Sequence, residues 1–242
     1  MGSDRDMAFT EPEFLHVLNA SPKLRILHLD VTIRNASQSP SQIQLEELEV
    51  LFLSWVEDKT NLVRLLYPGA QPLKLILDAR NRLSMSRSAA KELIKLFERS
   101  NVAELYVHHI KGTPGCGEAL FNPFHLLELA PHLRTLAISG VDMNRYFRRL
   151  NKAPGPFYNT ARLLHTLHMI ETSIDWTSYL ELVQMYGAQK ITIWDCTLYN
   201  LEGASRTQED QEVIRSLLAS VCPDTRVLGD NILKLAGLYI EK

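Results

Sequence analysis

The chain has 242 residues, 45% hydrophobic and 22% charged, with a formal net charge of -2. That balance suits a soluble folded protein, long enough for one large domain or a short array of repeats. It argues against a nucleic-acid binder working by counterion release, which is usually far more basic.

One residue type is out of proportion: 39 positions are Leu. No apolar run approaches the roughly 18–20 residues of a membrane helix. The start, MGSDRDMAFTEPEF, lacks the basic and apolar regions of a signal peptide. Met1-Gly2-Ser3 opens like a myristoylation site, but Asp6 stands where Ser or Thr is needed. Three cysteines (Cys116, Cys196 and Cys222) are too few for a disulfide framework and suit a reducing compartment. Cytoplasm or nucleus is the expected location.

In chain order, Glu11–Asn19 places Phe14, Leu15 and Leu18 on one helical face, with Pro12 in the first turn. Leu24, Leu27 and Leu29 then spell LxxLxL. The Ser/Gln-rich segment Asn35–Gln44 reads as a loop. Leu48, Leu51 and Leu53 repeat the pattern. A helix is predicted over Thr60–Tyr67, ending at Pro68-Gly69. Leu73, Leu75 and Leu77 form a looser copy, and Ser88–Arg99 is the clearest amphipathic helix. Val102, Leu105 and Val107 follow, then a Gly/Pro loop over Ile110–Pro123. A helix is predicted over Phe124–Leu129, stopped by Pro131. Leu133, Leu136 and Ile138 come next, then a loop over Asn151–Asn159. Leu164, Leu167 and Met169 precede a predicted helix at Thr177–Tyr186, with Gly187 as its C-cap. Ala188, Ile191 and Ile193 precede another at Gln208–Val221, and a poor last copy lies at Thr225–Leu228.

Taking the middle apolar residue as the marker, the steps are 24, 24, 30, 31, 31 and 24 residues. Leucine-rich repeats run about 20–29 residues, so this is that period with long insertions. In L-x-L both leucines leave the strand on one side and the intervening residue faces the other. No unit buries its apolar face alone, and stacking makes the core continuous. The expected fold is a right-handed α/β leucine-rich repeat solenoid, a horseshoe with parallel strands on the concave face and helices outside. It is expected as a single domain over 1–242, with seven or eight irregular repeats and 206–242 as a C-terminal cap. A doubly wound sheet is the rival, but neither GxGxxG nor GxxxxGK[ST] occurs.

These repeats resemble the leucine-rich repeat portion of fungal F-box proteins. The resemblance is carried by the loose LxxLxL strands, by the segments Asn19–Arg25 and Leu129–Arg134 in which a Pro separates helix from strand, and by Ile191–Cys196. It covers about Phe14 to Gly229. It implies a substrate-recognition role in a ubiquitin ligase. Nothing between Met1 and Pro22 is long enough to be the box that docks a Skp-type adaptor, so that partner is expected only if a box lies upstream. The stricter pattern LxxLxLxx[NC] ends here at Thr32, Val56, Arg80, Ile110, Val141, Thr172 and Cys196. Only Cys196 matches it, with Thr32 and Thr172 as partial substitutes.

Outward positions between the core leucines give one row: His28, Phe52, Ile76, Tyr106, Ala137, His168 and Thr192. The next outward positions give a second: Asp30, Ser54, Asp78, His108, Ser139, Ile170 and Trp194. On an open face Phe52, Tyr106 and Trp194 would be exposed aromatics of the kind that anchor protein partners. The candidate protein-binding residues are His28, Asp30, Phe52, Ser54, Asp78, Tyr106, His108, His168 and Trp194. No catalytic residue, cofactor or metal is expected. His108, His109 and Cys116 lack the fourth ligand and the spacing of structural zinc. Cys116 between two glycines offers a remote alternative, a cysteine-dependent hydrolase with His108 or His109 as base. Arg145–Arg149 reads as a solvated helix face. The expected molecule is a monomeric, non-enzymatic protein-interaction module without membrane or nucleic-acid partners. A stand-alone scaffold or inhibitor without a ubiquitin link is the alternative.

Overall fold

The computed structural model describes residues 8–37, 41–54, 60–78, 87–108, 130–140, 164–175, 183, 187–199, 216, 220, 222 and 224–228. The protein is α/β, with parallel strands and few helices among these residues. Two compact units divide it, Met1–Leu133 and Arg134–Lys242.

The first unit opens with β1 (Ala8–Thr10) and α1 (Glu11–Asn19). Thr10 starts this helix with a capping box. Its amide donates to Glu13 Oε2 at 2.9 Å, and the Glu13 amide donates to Thr10 Oγ1 at 3.4 Å. The Thr10 amide and hydroxyl, both donating to Glu13, hold its carboxyl below its ordinary pKa. Pro12 is tolerated because a first-turn amide has no helical acceptor. Phe14 and Leu18 are buried, as the 3.6-residue spacing predicts.

The strands β2 (Ile26–Leu29), β5 (Val50–Ser54), β7 (Leu73–Asp78) and β8 (Val102–His108) lie side by side in that order, all parallel. Three-residue strands flank them: β3 (Thr32–Arg34) pairs with β1, and β4 (Ile43–Leu45) pairs with β6 (Leu66–Pro68). Between them stand α2 (Thr60–Val63) and α3 (Arg87–Glu98). In the second unit β9 (Thr135–Ser139), β10 (Thr166–Ile170), β12 (Lys190–Trp194) and β14 (Asp224–Leu228) follow in parallel order. A second short pair joins β11 (Ser173–Asp175) to β13 (Thr197–Tyr199).

The period-2 reading places the core correctly. Leu51, Leu53, Leu73, Leu75, Leu105, Leu136, Ile138, Leu167, Met169 and Ile191 are all buried. Each such side chain contributes roughly 1.5–3 kcal/mol on leaving water. Each helix adds an apolar stripe, and in α3 it is Leu93, Leu96 and Phe97. Arg99, just past α3, donates to the Val63 carbonyl at 2.7 Å and the Leu66 carbonyl at 2.9 Å. These oxygens lie at the end of α2 and the start of β6, so the guanidinium pins one turn to the next. Desolvation lowers its pKa.

One predicted helix is shorter than its pattern. The spacing predicts a helix over Thr60–Tyr67, but the helix ends at Val63 and Leu66–Pro68 is a strand. Leu62, Leu65 and Leu66 fit helical spacing, yet Leu66–Pro68 finds a tertiary partner in Ile43–Leu45, which outweighs local preference. That partner also makes Ile43 and Gln44 part of β4 rather than of the loop expected there. The predicted helices at 124–129, 177–186 and 208–221 lie outside the described residues, except that Val183, Ser216 and Ser220 are helical.

Candidate functional site

Register decides which outward residues meet. In the first unit His28 pairs with Phe52, Phe52 with Ile76, and Ile76 with Tyr106. Ser54, Asp78 and His108 form the neighbouring row. In the second unit Ala137, His168, Thr192 and Arg226 share one row, and Ser139, Ile170, Trp194 and Leu228 the next. Apart from Asp30, which lies just past the last paired residue of β2, both rows read from the sequence are therefore lines of in-register neighbours within each unit.

Their exposure is uneven. The rings of His28 and Phe52 meet edge-on with centroids 4.0 Å apart. Lys74 Nζ sits 4.4 Å over the Tyr106 ring, and the Tyr106 hydroxyl donates to Glu104 Oε2 at 3.2 Å. Desolvation, reinforced by the Glu104 carboxylate, pushes the Tyr106 phenol up to about 12. Phe52, Tyr106 and Trp194 retain only 9%, 8% and 6% of their exposure. The expectation of exposed aromatic anchors is thus corrected. The His28 ring meets Phe52 and Lys74 covers Tyr106, and parallel strands are characteristically buried on both faces. Asp78 and His108 are buried too.

The reachable members are fewer. His28 and Asp30 are exposed, and Ser54, His168 and Thr192 are partly exposed. Two residues missed in the sequence join them. Ile26 is 67% exposed at the start of β2, and Arg226 is exposed beside Thr192. Ile26 occupies a variable position of LxxLxL and so carries no pattern signal. Arg226 falls in the last, degenerate copy, where only the pairing of β14 with β12 fixes the register.

The thiols of Cys196 and Cys222 are structural. Cys196 Sγ lies 3.0 Å from Thr172 Oγ1 and donates toward the carbonyls of Met169 and Trp194, each at 3.3 Å. Burial pushes its pKa up, against nucleophilic use. Cys222 is buried and donates to the Gln189 carbonyl at 3.2 Å. The position after the LxxLxL strand thus holds adjoining hydroxyl and thiol groups at Thr172 and Cys196. Cys116, His109 and the Arg145–Arg149 cluster lie outside the described residues. Among the described residues no group of three or more His, Cys, Asp or Glu could hold a metal ion. No described helix is long and apolar enough to cross a membrane.

Comparisons with family models, curated proteins and solved structures return no match for this chain.

Proposed function

We propose that this chain is a non-enzymatic protein-interaction module, a right-handed leucine-rich repeat solenoid like the substrate-recognition part of fungal F-box proteins. The carrying observation is the register. Residues 24 apart (Leu27 and Leu51, Leu51 and Leu75, Leu167 and Ile191) stand side by side on parallel strands. A face built this way takes one residue from each unit of the pattern, so its side chains vary while its frame does not. Recognition rests on the reachable members of each unit: His28 and Asp30 with Ile26 in the first, and His168 and Thr192 with Arg226 in the second. Buried Phe52, Tyr106 and Trp194 support that face rather than form its contact surface. The free thiols of Cys196 and Cys222 fit the cytoplasm or nucleus.

A photo-crosslinking residue at Thr192 or Arg226 tests this reading against the same residue at Lys91 on α3. Partners captured only from the first two positions are the expected result. Equal capture from Lys91 would refute the assignment of the face. Direct binding to a purified Skp-type adaptor separates the ligase reading from a stand-alone scaffold or inhibitor.

A further inference from the structure

We infer that the first unit carries a second binding site, a groove for a Lys- or Arg-bearing segment of a partner protein. It lies at the N-terminal ends of β7 and β8 and encloses about 960 Å³. That is the upper end of the range for small-molecule pockets. Stretches from four separate parts of the chain line it, around Glu46, Tyr67, Glu98 to Asn101 and Ala130 to His132. A groove bounded this way suits an extended peptide better than a compact ligand.

The chemistry is one-sided. Glu46 and Glu98 are exposed lining carboxylates with no cation partner among the described residues. Arg99, the only Lys or Arg among the described lining residues, is committed to the Val63 and Leu66 carbonyls. Asn101 donates its amide Nδ2 to the Ala70 carbonyl at 3.1 Å, and its Oδ1 is buried away from solvent. The lining charges left without a partner are therefore the two carboxylates, and they are negative. Tyr67, 39% exposed, adds a ring face over which a cation is attracted. A metal ion is a poor match, because no group of three ligating side chains forms among the described residues. A guanidinium or ammonium on a flexible stem meets all three features: donors for the carboxylates, positive charge, and apolar length along the ring. The site is separate from the outward rows and does not rest on the function proposed for them.

The probe is a fluorescein-labelled peptide of alternating Arg and Ala, read by fluorescence anisotropy with the full chain. Saturable binding is expected. The double change Glu46→Gln with Glu98→Gln should weaken it about tenfold, the upper part of what two exposed ion pairs supply. Tyr67→Leu should weaken it severalfold. Glu171→Gln, an exposed acid in the second unit, should leave it unchanged. Absence of saturable binding overturns the proposal. So does equal weakening by Glu171→Gln, which would mean diffuse charge attraction. Displacement by spermine at matched total charge, as effective as by unlabelled peptide, also overturns it, since the groove would then take a free polyamine.

Discussion

Gly69 follows β6, where the chain turns toward β7. A Cβ placed there would stand 2.6 Å from Glu46 Cα and 2.6 Å from the Glu46 carbonyl oxygen. Carbon contacts settle near 3.5–4.0 Å, so Gly69→Ala needs a shift of about 1 Å. The obstructing atoms are backbone, and they are not free to move. β4 is paired with β6 up to Leu45 and Pro68, and the Gly69 amide donates to the Leu45 carbonyl at 3.1 Å. Overpacking costs about 1–3 kcal/mol, and loss of that hydrogen bond adds roughly 1, for a total of about 2–4 kcal/mol. With a urea m-value of about 2–3 kcal/mol/M, the midpoint should fall by about 1 M. Far-ultraviolet circular dichroism across a urea series measures it. A second variant separates the cause. Glu46→Ala added to Gly69→Ala should restore nothing, because the clash is with main-chain atoms that every residue carries. A midpoint unchanged in Gly69→Ala, or one recovered in the double variant, would refute the reasoning.

Three further outcomes follow from other sites. Glu171 is held at φ 49, where a non-glycine residue pays about 1–2 kcal/mol in the left-handed region. Glycine's greater freedom in the unfolded chain offsets about 0.5–1 of that, so Glu171→Gly should gain about 0.5–1 kcal/mol in urea unfolding, and a loss would contradict the account. Glu11 is buried on α1 and accepts from the Ser37 amide at 2.7 Å and the Ser37 hydroxyl at 3.1 Å, with Arg64 Nη2 at 3.9 Å. Glu11→Ala strands these donors and should cost about 2 kcal/mol, whereas a change below about 0.5 would show them resolvated. The Tyr106 phenol ionises at about 12 in the folded chain, against an ordinary value near 10 when unfolded. The unfolded chain then loses its proton first as pH rises, so stability is full below pH 10 and falls between 10 and 12. By pH 11.5 that loss is roughly 2 kcal/mol. Tyr106→Phe should lack this component, so the stability difference between the two proteins should shift by that amount between pH 9 and 11.5.

The strands were legible because alternation is enforced by the core. Leu51, Leu75 and Leu136 cannot face water without the whole strand reversing its faces. Helix α1 was legible to the residue, since Pro12 suits a first turn and Phe14 and Leu18 keep the helical spacing. The three-residue strands left no trace. β3, β4, β6, β11 and β13 are too short for a period, and only pairing with a segment 23 or 24 residues away creates them. The rows of the candidate site were legible as positions but not as surfaces. Spacing says that Phe52 and Trp194 point away from the leucines, and says nothing about what lies against them. Ile26 and Arg226 show the converse, exposure at positions where no pattern draws the eye.

The backbone of the second unit carries a recurring device. Gly140, Glu171 and Asp195, each the residue directly after a strand, all have positive φ, at 65, 49 and 48. The Gly140 amide donates to the Ile170 carbonyl and the Glu171 amide to the Trp194 carbonyl, each at 2.9 Å. The chain is therefore steered off every one of these strands on a common heading before any connecting segment begins. Steps of 31 and 24 residues separate these three points. The length of a connection and the direction in which it departs are thus set by different residues. Segments of new length or composition can be exchanged downstream of the steering residue while the strand frame stays in place, which gives such a chain a way to alter what it presents without relearning how to fold.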